Sequence, residues 1–153
     1  MLQEAQVLVA QIRGDIPLTS AMQVQATAYD GTSLTLRVPL HANINDKGTA
    51  FAGSIAALAN LTGWALLMLW VEERFGTCQV AIYHSDIRYQ KPLKADFTAR
   101  AQLPDADALS TFATKLEEKG RAKLTLSVEL SGDDGIAVTM QGAYAVWLVD
   151  DLD

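Results

Sequence analysis

The sequence predicts an α+β domain in which an antiparallel sheet wraps around one long apolar helix. Three observations lead there. Residues 48 to 71 are 24 consecutive positions without a charge, and a helix that is apolar all round has to be covered by the rest of the chain. On both sides of this run apolar and polar residues alternate with a period of two, the mark of half-buried strands. The segments joining those strands are short, which favours antiparallel pairing, and a single helix of this kind is covered only if the sheet curls around it.

From the N-terminus, Glu4 to Arg13 carries Ala5, Val7, Leu8, Val9 and Ile12, a short amphipathic helix that Gly14 is expected to end. A further turn or short helix after Pro17 completes a helical lead-in over residues 1–20. Met22, Val24, Ala26 and Ala28 then alternate with Gln23, Gln25 and Thr27, and Asp30-Gly31 is a hairpin signal. Leu34, Leu36, Val38 and Leu40 form the returning strand, with Pro39 near its end or on an edge because proline donates nothing to a ladder.

Residues 41–49 read as a loop, and the long helix follows, ending near Gly76. One of its faces is a stripe of small residues, Ala52, Ala56, Ala59, Asn60 and Gly63; another is bulky, with Ile55, Leu58, Leu61, Leu66 and Leu69. The small stripe admits a close neighbour, whether a helix, a sheet or a ligand. Four more strands are expected at 79–90, 96–103, 122–130 and 136–149, with 108–118 a loop containing one helical turn. The order α–β–β–α–β–β–β–β is the physical description of a hotdog fold, here a single domain over residues 1–153.

Composition narrows the function. Of 153 residues, 50% are hydrophobic, enough for a real core, while a formal charge of −6 argues against a nucleic-acid binder. Cys78 is the single cysteine and His41 and His84 the only histidines, so neither a disulfide nor a metal site is expected. The first residues lack the basic and apolar regions of a secretion signal, so a cytoplasmic location is expected. The uncharged run is long enough to span a bilayer. Gly53, Ser54, Asn60, Thr62 and Gly63 interrupt it, so it reads as a buried helix without a membrane role.

Chemistry concentrates between Asn43 and Asn60, where a polar loop feeds small residues into a helix start. The first turn of a helix presents unpaired N–H groups and a partial positive charge, and without bulk around them these donors can hold a carbonyl oxygen that becomes an oxyanion. The segment resembles the signature of hotdog acyl-CoA thioesterases of the phenylacetyl-CoA thioesterase type. Asn45 falls on that family's Asn, Gly48-Thr49 on its Gly-Thr, Phe51-Ala52-Gly53 on its His-Gly-Gly, and Asn60 on its acidic residue. It is most similar to the thioesterase domain that some bacteria fuse behind a GNAT acetyltransferase domain and others make alone. That pattern is matched by Asn43 and Asn45, Gly48 to Ser54, Gly63-Trp64, and Ile87 to Pro92.

The resemblance implies hydrolysis of an acyl thioester, of coenzyme A or acyl-carrier protein, with no cofactor beyond the substrate's own coenzyme A. The Ala52 and Gly53 N–H groups would hold the carbonyl, and Asn45 and Asn60 would position water or substrate. Asn60 departs from the pattern, since a neutral amide cannot act as the base. Asp46, or His84 beside Asp86, are the other candidates. Gly48, Thr49, Phe51, Ser54 and Trp64 are expected around the substrate, and Arg88 and Lys91, with Lys94, near coenzyme A phosphates. A non-catalytic acyl-CoA or acyl-carrier binding module is the alternative. An open sheet edge and one covering helix also point to a homodimer or a tetramer, with each site at the interface as the resemblance implies.

Overall fold

The first helix, α1 (Leu2–Asp15), continues through Gly14, contrary to the expected stop there. Proline sets the end instead: Pro17 forces the preceding Ile16 into an extended conformation (φ −120°, ψ 92°) and opens α2 (Pro17–Ala21). A computed structural model describes residues 1–149, so the last four positions of the expected 1–153 domain lie outside the described residues.

Strand β1 (Gln25–Tyr29) starts later than the alternation suggests, because Gln23 turns with φ +59°. A bulge between Ala26 and Ala28 then breaks the period, burying Ala26 and exposing Ala28. The hairpin to β2 (Ser33–Val38) forms at Asp30-Gly31 as expected. Its clasp is the Asp30 carboxylate, which accepts from the Ser33 and Thr32 backbone N–H groups at 2.7 and 2.9 Å and from both hydroxyls.

Those donors, the backbone pair foremost, hold the Asp30 carboxyl down at about 2, against about 4 in an unfolded chain. A depressed carboxyl contributes stability that is full above pH 4 and is lost as pH falls toward 2. Asp30→Ala is therefore expected to lower the melting temperature at pH 7, with the difference from wild type closing as both are titrated to pH 2.

The long helix α3 (Ala52–Phe75) ends at Gly76, whose φ of +88° suits glycine. Strand β3 (Cys78–Tyr89) follows, then β4 (Phe97–Gln102). The short segment between them does not make a hairpin. Leu93 is buried, its C=O accepting from Ala50 N–H at 2.9 Å in the loop before α3, and the chain crosses there to deliver β4 beside β2.

The stretch read as a loop with one turn is a full helix, α4 (Ala106–Lys119). Asp105 caps its first turn through Ala108 N–H, Gly120 closes it in the left-handed region, and Phe112 and Leu116 are buried. Strands β5 (Arg121–Gly132) and β6 (Gly135–Leu148) complete the chain.

The result is a six-stranded antiparallel sheet in the order β1-β2-β4-β5-β6-β3, curled around α3 in a hotdog fold. Leu124, Leu126, Val128 and Leu130 line its inner face on β5, as their alternation predicts. The apolar run is the core helix of this fold, with Leu58, Ala59, Thr62, Leu66 and Val71 wholly buried. The small stripe on α3 meets β6. Tyr144, itself fully buried, fits over Gly63 and donates from Oη to the Asn60 C=O at 2.9 Å. Burial pushes the Tyr144 hydroxyl far above the usual tyrosine range, with the Trp64 backbone N–H opposing in part. The buried Cys78 thiol, raised to about 11 first by desolvation and then by Glu72, is inert near neutral pH.

Candidate functional site

The loop before α3 is folded by its two asparagines. Asn43 is buried, donating from Nδ2 to the Pro39 and Met22 carbonyls at 2.8 and 3.0 Å, while its own C=O accepts from Phe51 N–H at 2.7 Å. Asn45 uses its whole side chain locally: Oδ1 accepts from the Lys47 and Thr49 N–H groups, and Nδ2 donates to Thr49 Oγ1 and the Ala50 C=O. Gly48, at φ +79°, lets this turn close. Asp46 is exposed in the same turn, 3.3 Å from Lys47 Nζ.

This turn delivers Phe51 in an extended conformation as the N-cap of α3, with no side chain capping the helix. The first-turn N–H groups of Ala52 and Gly53 therefore have no side-chain acceptor. The Phe51 ring, 54% exposed, lies directly over Gly53: a Cβ there would stand 2.7 Å from the ring's Cζ. Ser54 is half-buried beside it. Tyr89, at the end of β3, reaches the same place and donates from Oη to the Ala52 C=O at 3.4 Å.

Further along α3 an apolar groove of about 260 Å³ opens at the free edge of the sheet. One wall is Ile16, Leu18, Thr19 and Met22; the other is Ala57, Asn60, Leu61 and Trp64 of α3, with Ile82 of β3. Trp64 is held by its indole N–H, which donates to the Val80 C=O at 2.8 Å. Asn60 Oδ1 is buried and has no hydrogen-bond partner. No acid, base or cysteine lines this groove among the described residues.

The structure brings Asn60 and Trp64 together in the groove, and Gly48, Thr49, Phe51, Ala52, Gly53 and Ser54 together at the helix start. Seven residues separate Gly53 from Asn60, about 10 Å along a helix axis. His84, Asp86 and Arg88 lie on the face of β3 turned away from α3, opposite Ala143, Gln141 and Thr139, beyond a bulge between Ile82 and His84. Within one chain they do not join the groove. Arg88 sits 3.9 Å from Asp86, and Lys91 Nζ donates to the Asp134 C=O, with Lys94 beside the same acidic turn.

Sequence reasoning missed the far wall of the groove. Ile16, Leu18 and Thr19 belong to a lead-in without motif residues, and nothing in the spacing ties them to Asn60. A larger hollow, about 640 Å³, lies between α1 and the C-terminal end of α3, where Glu4, Glu72 and Glu73 stand among its walls. The start of α1 borders it, but there the Met1 ammonium is paired with Glu4, and its three carboxylates make it unsuited to a thioester carbonyl that gains negative charge during attack.

Comparison with known proteins bears on the family and the fold. A protein with unknown function from Chlorobaculum tepidum shares 27% identity, superposes with a TM-score of 0.88, and is matched over 97% of both chains. A protein described as a putative thioesterase, from Shewanella oneidensis, shares 26% identity at a TM-score of 0.80, over 96% of this chain and 99% of that one. A Haemophilus influenzae thioesterase shares the fold at 16% identity and a TM-score of 0.74, over 100% of this chain and 95% of that one. The family model described as "Putative thioesterase (yiiD_Cterm)" matches residues 5–148, and the chain belongs to that family.

Proposed function

We propose that the protein is a cytoplasmic homodimeric hydrolase of acyl thioesters. The observation that carries this is the apolar groove ending on Asn60, set on the same helix as an uncapped N-terminus. In this reading the acyl chain lies in the groove and the Ala52 and Gly53 N–H groups receive the thioester oxygen. These donors stabilise the charge that develops as water attacks. Asn60 contacts the acyl group, and Asn45 acts by shaping the loop. Arg88 and Lys91 lie near Tyr89 in the chain, on the outer face of β3 and at the Asp134 turn, and in this reading they would meet coenzyme A phosphates outside the groove.

The homodimer is supported by a distance. A helix start about 10 Å from Asn60 cannot serve a carbonyl that Asn60 also touches, unless a second copy supplies one of the two. Strand β3 offers twelve residues of unpaired edge along this side. Two such edges paired antiparallel about Ser85 set Tyr89 of one copy opposite Ala81 of the other. In this proposed register one helix start would lie beside the other copy's Asn60 turn.

A second reading, an acyl-binding module without turnover, is favoured because no titratable residue lines the groove among the described residues. Thiol release from a panel of acyl-CoA and acyl-carrier thioesters separates the two. Release above background establishes a hydrolase; binding without release establishes the module. Asn60→Asp is expected to raise the rate by about a hundredfold or more, in the range of general-base catalysis. Desolvation in the groove would raise the new carboxyl's pKa toward neutrality, giving an acid limb above pH 5. A rate that stays unchanged in Asn60→Asp would mean that Asn60 does not face the reacting carbonyl.

A further inference from the structure

Tyr89 ends β3 on the face that turns toward α3. It pairs with Val138, which pairs in turn with Leu130, and both of these are wholly buried on the inner face of the sheet. Arg88 beside it faces outward, so of the two only Tyr89 comes to the helix start. The main chain is fixed there, because the N–H groups of Gln90 and Lys91 both donate to the Ala137 C=O, at 2.9 and 3.2 Å. The side chain is held far less firmly. Tyr89 is 48% exposed, and its Oη stands 3.4 Å from the Ala52 C=O, against about 2.7–2.8 Å for a well-made hydroxyl bond. That carbonyl already belongs to the helix ladder, where it accepts from Ala56 N–H. The Tyr89 hydroxyl is a donor turned toward a carbonyl oxygen and barely engaged by the one it has.

The surroundings of this donor are apolar and open. Phe51 lies half-exposed over Gly53 while Tyr89 touches Ala52, so an aromatic ring stands at each of the two residues whose N–H groups receive the thioester oxygen in the reading above. Ile44, also half-exposed, is bridged to Ala50 just before them. A group of exposed apolar side chains around one weakly engaged donor marks a surface that meets a partner. Every group in it belongs to one chain, so the arrangement does not depend on how two copies meet.

We infer that the Tyr89 hydroxyl donates to the first amide carbonyl of the substrate's pantetheine arm, with the Phe51 and Tyr89 rings as walls for the arm's methylenes. This rests on the acyl-thioester reading. The arm alternates methylenes with amides, and two rings with one hydroxyl offer both kinds of contact. The spacing agrees. Bond lengths keep a residue's own N and O within about 4 Å of each other, so Oη at 3.4 Å from the Ala52 oxygen is within about 8 Å of the Ala52 N–H. The first amide carbon of the arm lies about five bonds of roughly 1.5 Å from the thioester carbon, a span that reaches from the helix start to the hydroxyl. Pantetheine is common to coenzyme A and to acyl carriers, so this contact reads the arm and not what the arm is attached to.

Titration calorimetry with three ketone analogues of an octanoyl thioester tests this. In each a methylene separates sulfur from carbonyl so that nothing is cleaved; one is built on coenzyme A, one on pantetheine and one on mercaptoethanol, which has no amide. Tyr89→Phe removes only the hydroxyl and is expected to melt with the wild type. It should weaken the coenzyme A and pantetheine analogues each by about fivefold, the scale of one hydrogen bond, and leave the mercaptoethanol analogue unchanged. Where that analogue is too weak to titrate directly, its displacement of the pantetheine analogue gives the same comparison. The wild type also distinguishes the two sources of the arm: tighter binding of the coenzyme A analogue than of the pantetheine one identifies free coenzyme A, and equal binding identifies a carrier protein. Equal weakening of all three analogues by Tyr89→Phe, or no weakening of any, overturns the inference and leaves the acyl-thioester reading intact. So does a wild type that cleaves octanoyl-CoA yet does not bind the pantetheine analogue. If no analogue binds and no thioester in the panel is cleaved, that reading falls and the inference with it.

Discussion

Gly63→Ala is expected to destabilise the protein by about 3 kcal/mol, the upper part of the range for overpacking a core. A Cβ at position 63 would stand 2.6 Å from Tyr144 Cζ and closer still to Oη. Tyr144 has little room to retreat, because it is fully buried and its ring is also packed closely against Gly142. The substitution therefore forces either α3 or β6 to move, and the Tyr144–Asn60 hydrogen bond is lost with the displacement. At roughly 2–4 °C per kcal/mol for a chain of this size, the melting temperature should fall by about 10 °C. Tyr144→Phe alone removes one hydrogen bond and is expected to cost about 1 kcal/mol. Combined with Gly63→Ala it should recover part of the loss, because the hydroxyl is the atom in closest conflict. Melting curves of the three variants check this, and a Gly63→Ala protein as stable as wild type would mean that the helix and sheet are not locked here.

Ala52→Pro is expected to leave stability nearly unchanged and to reduce thioester hydrolysis by about 10²–10³-fold, the loss typical of one oxyanion donor. The position tolerates proline for two reasons. Ala52 is the first helical residue, where the N–H has no partner within the helix, and Phe51 before it is already extended with ψ 130°, as a residue preceding proline must be. The exchange thus deletes one donor and little else. Melting temperature and kcat, measured on the same preparation, separate the effects: a fall in kcat without a fall in Tm assigns the helix start to the reaction. Unchanged kcat would place the carbonyl elsewhere.

The parts of the fold that depend on local chemistry were legible. Asp30-Gly31 makes the hairpin, Gly76 ends the helix, and the β5 alternation buries the residues it predicts. Helix α4 was misread because Ser110, Thr111 and Thr114 are weak helix formers. They mask Leu109, Phe112, Ala113 and Leu116 at helical spacing between a good N-cap and a good C-cap. The crossing at Leu93 was not legible at all. A short connection normally means a hairpin, and nothing in the local sequence announces that Leu93 will instead bond to Ala50 in the loop before α3.

The same division holds at the site. The motif located the helix start and Asn60, and the small stripe announced a close approach at Gly63. What approaches is a tyrosine 81 positions later in the chain, and no period or propensity connects the two. The wall supplied by Ile16, Leu18 and Thr19 is likewise a product of tertiary packing.

The two margins of the sheet are unequal, and this limits how such chains can accumulate. The β1 margin has five residues and a bulge, whereas β3 presents twelve. A ribbon that grows without end needs two adhesive borders, one to receive and one to offer. This molecule has a single long border, so strand addition there uses up the capacity for more of it. In the proposed homodimer, joining would stop at a closed pair, and the long bare strand of each chain would not seed a fibre.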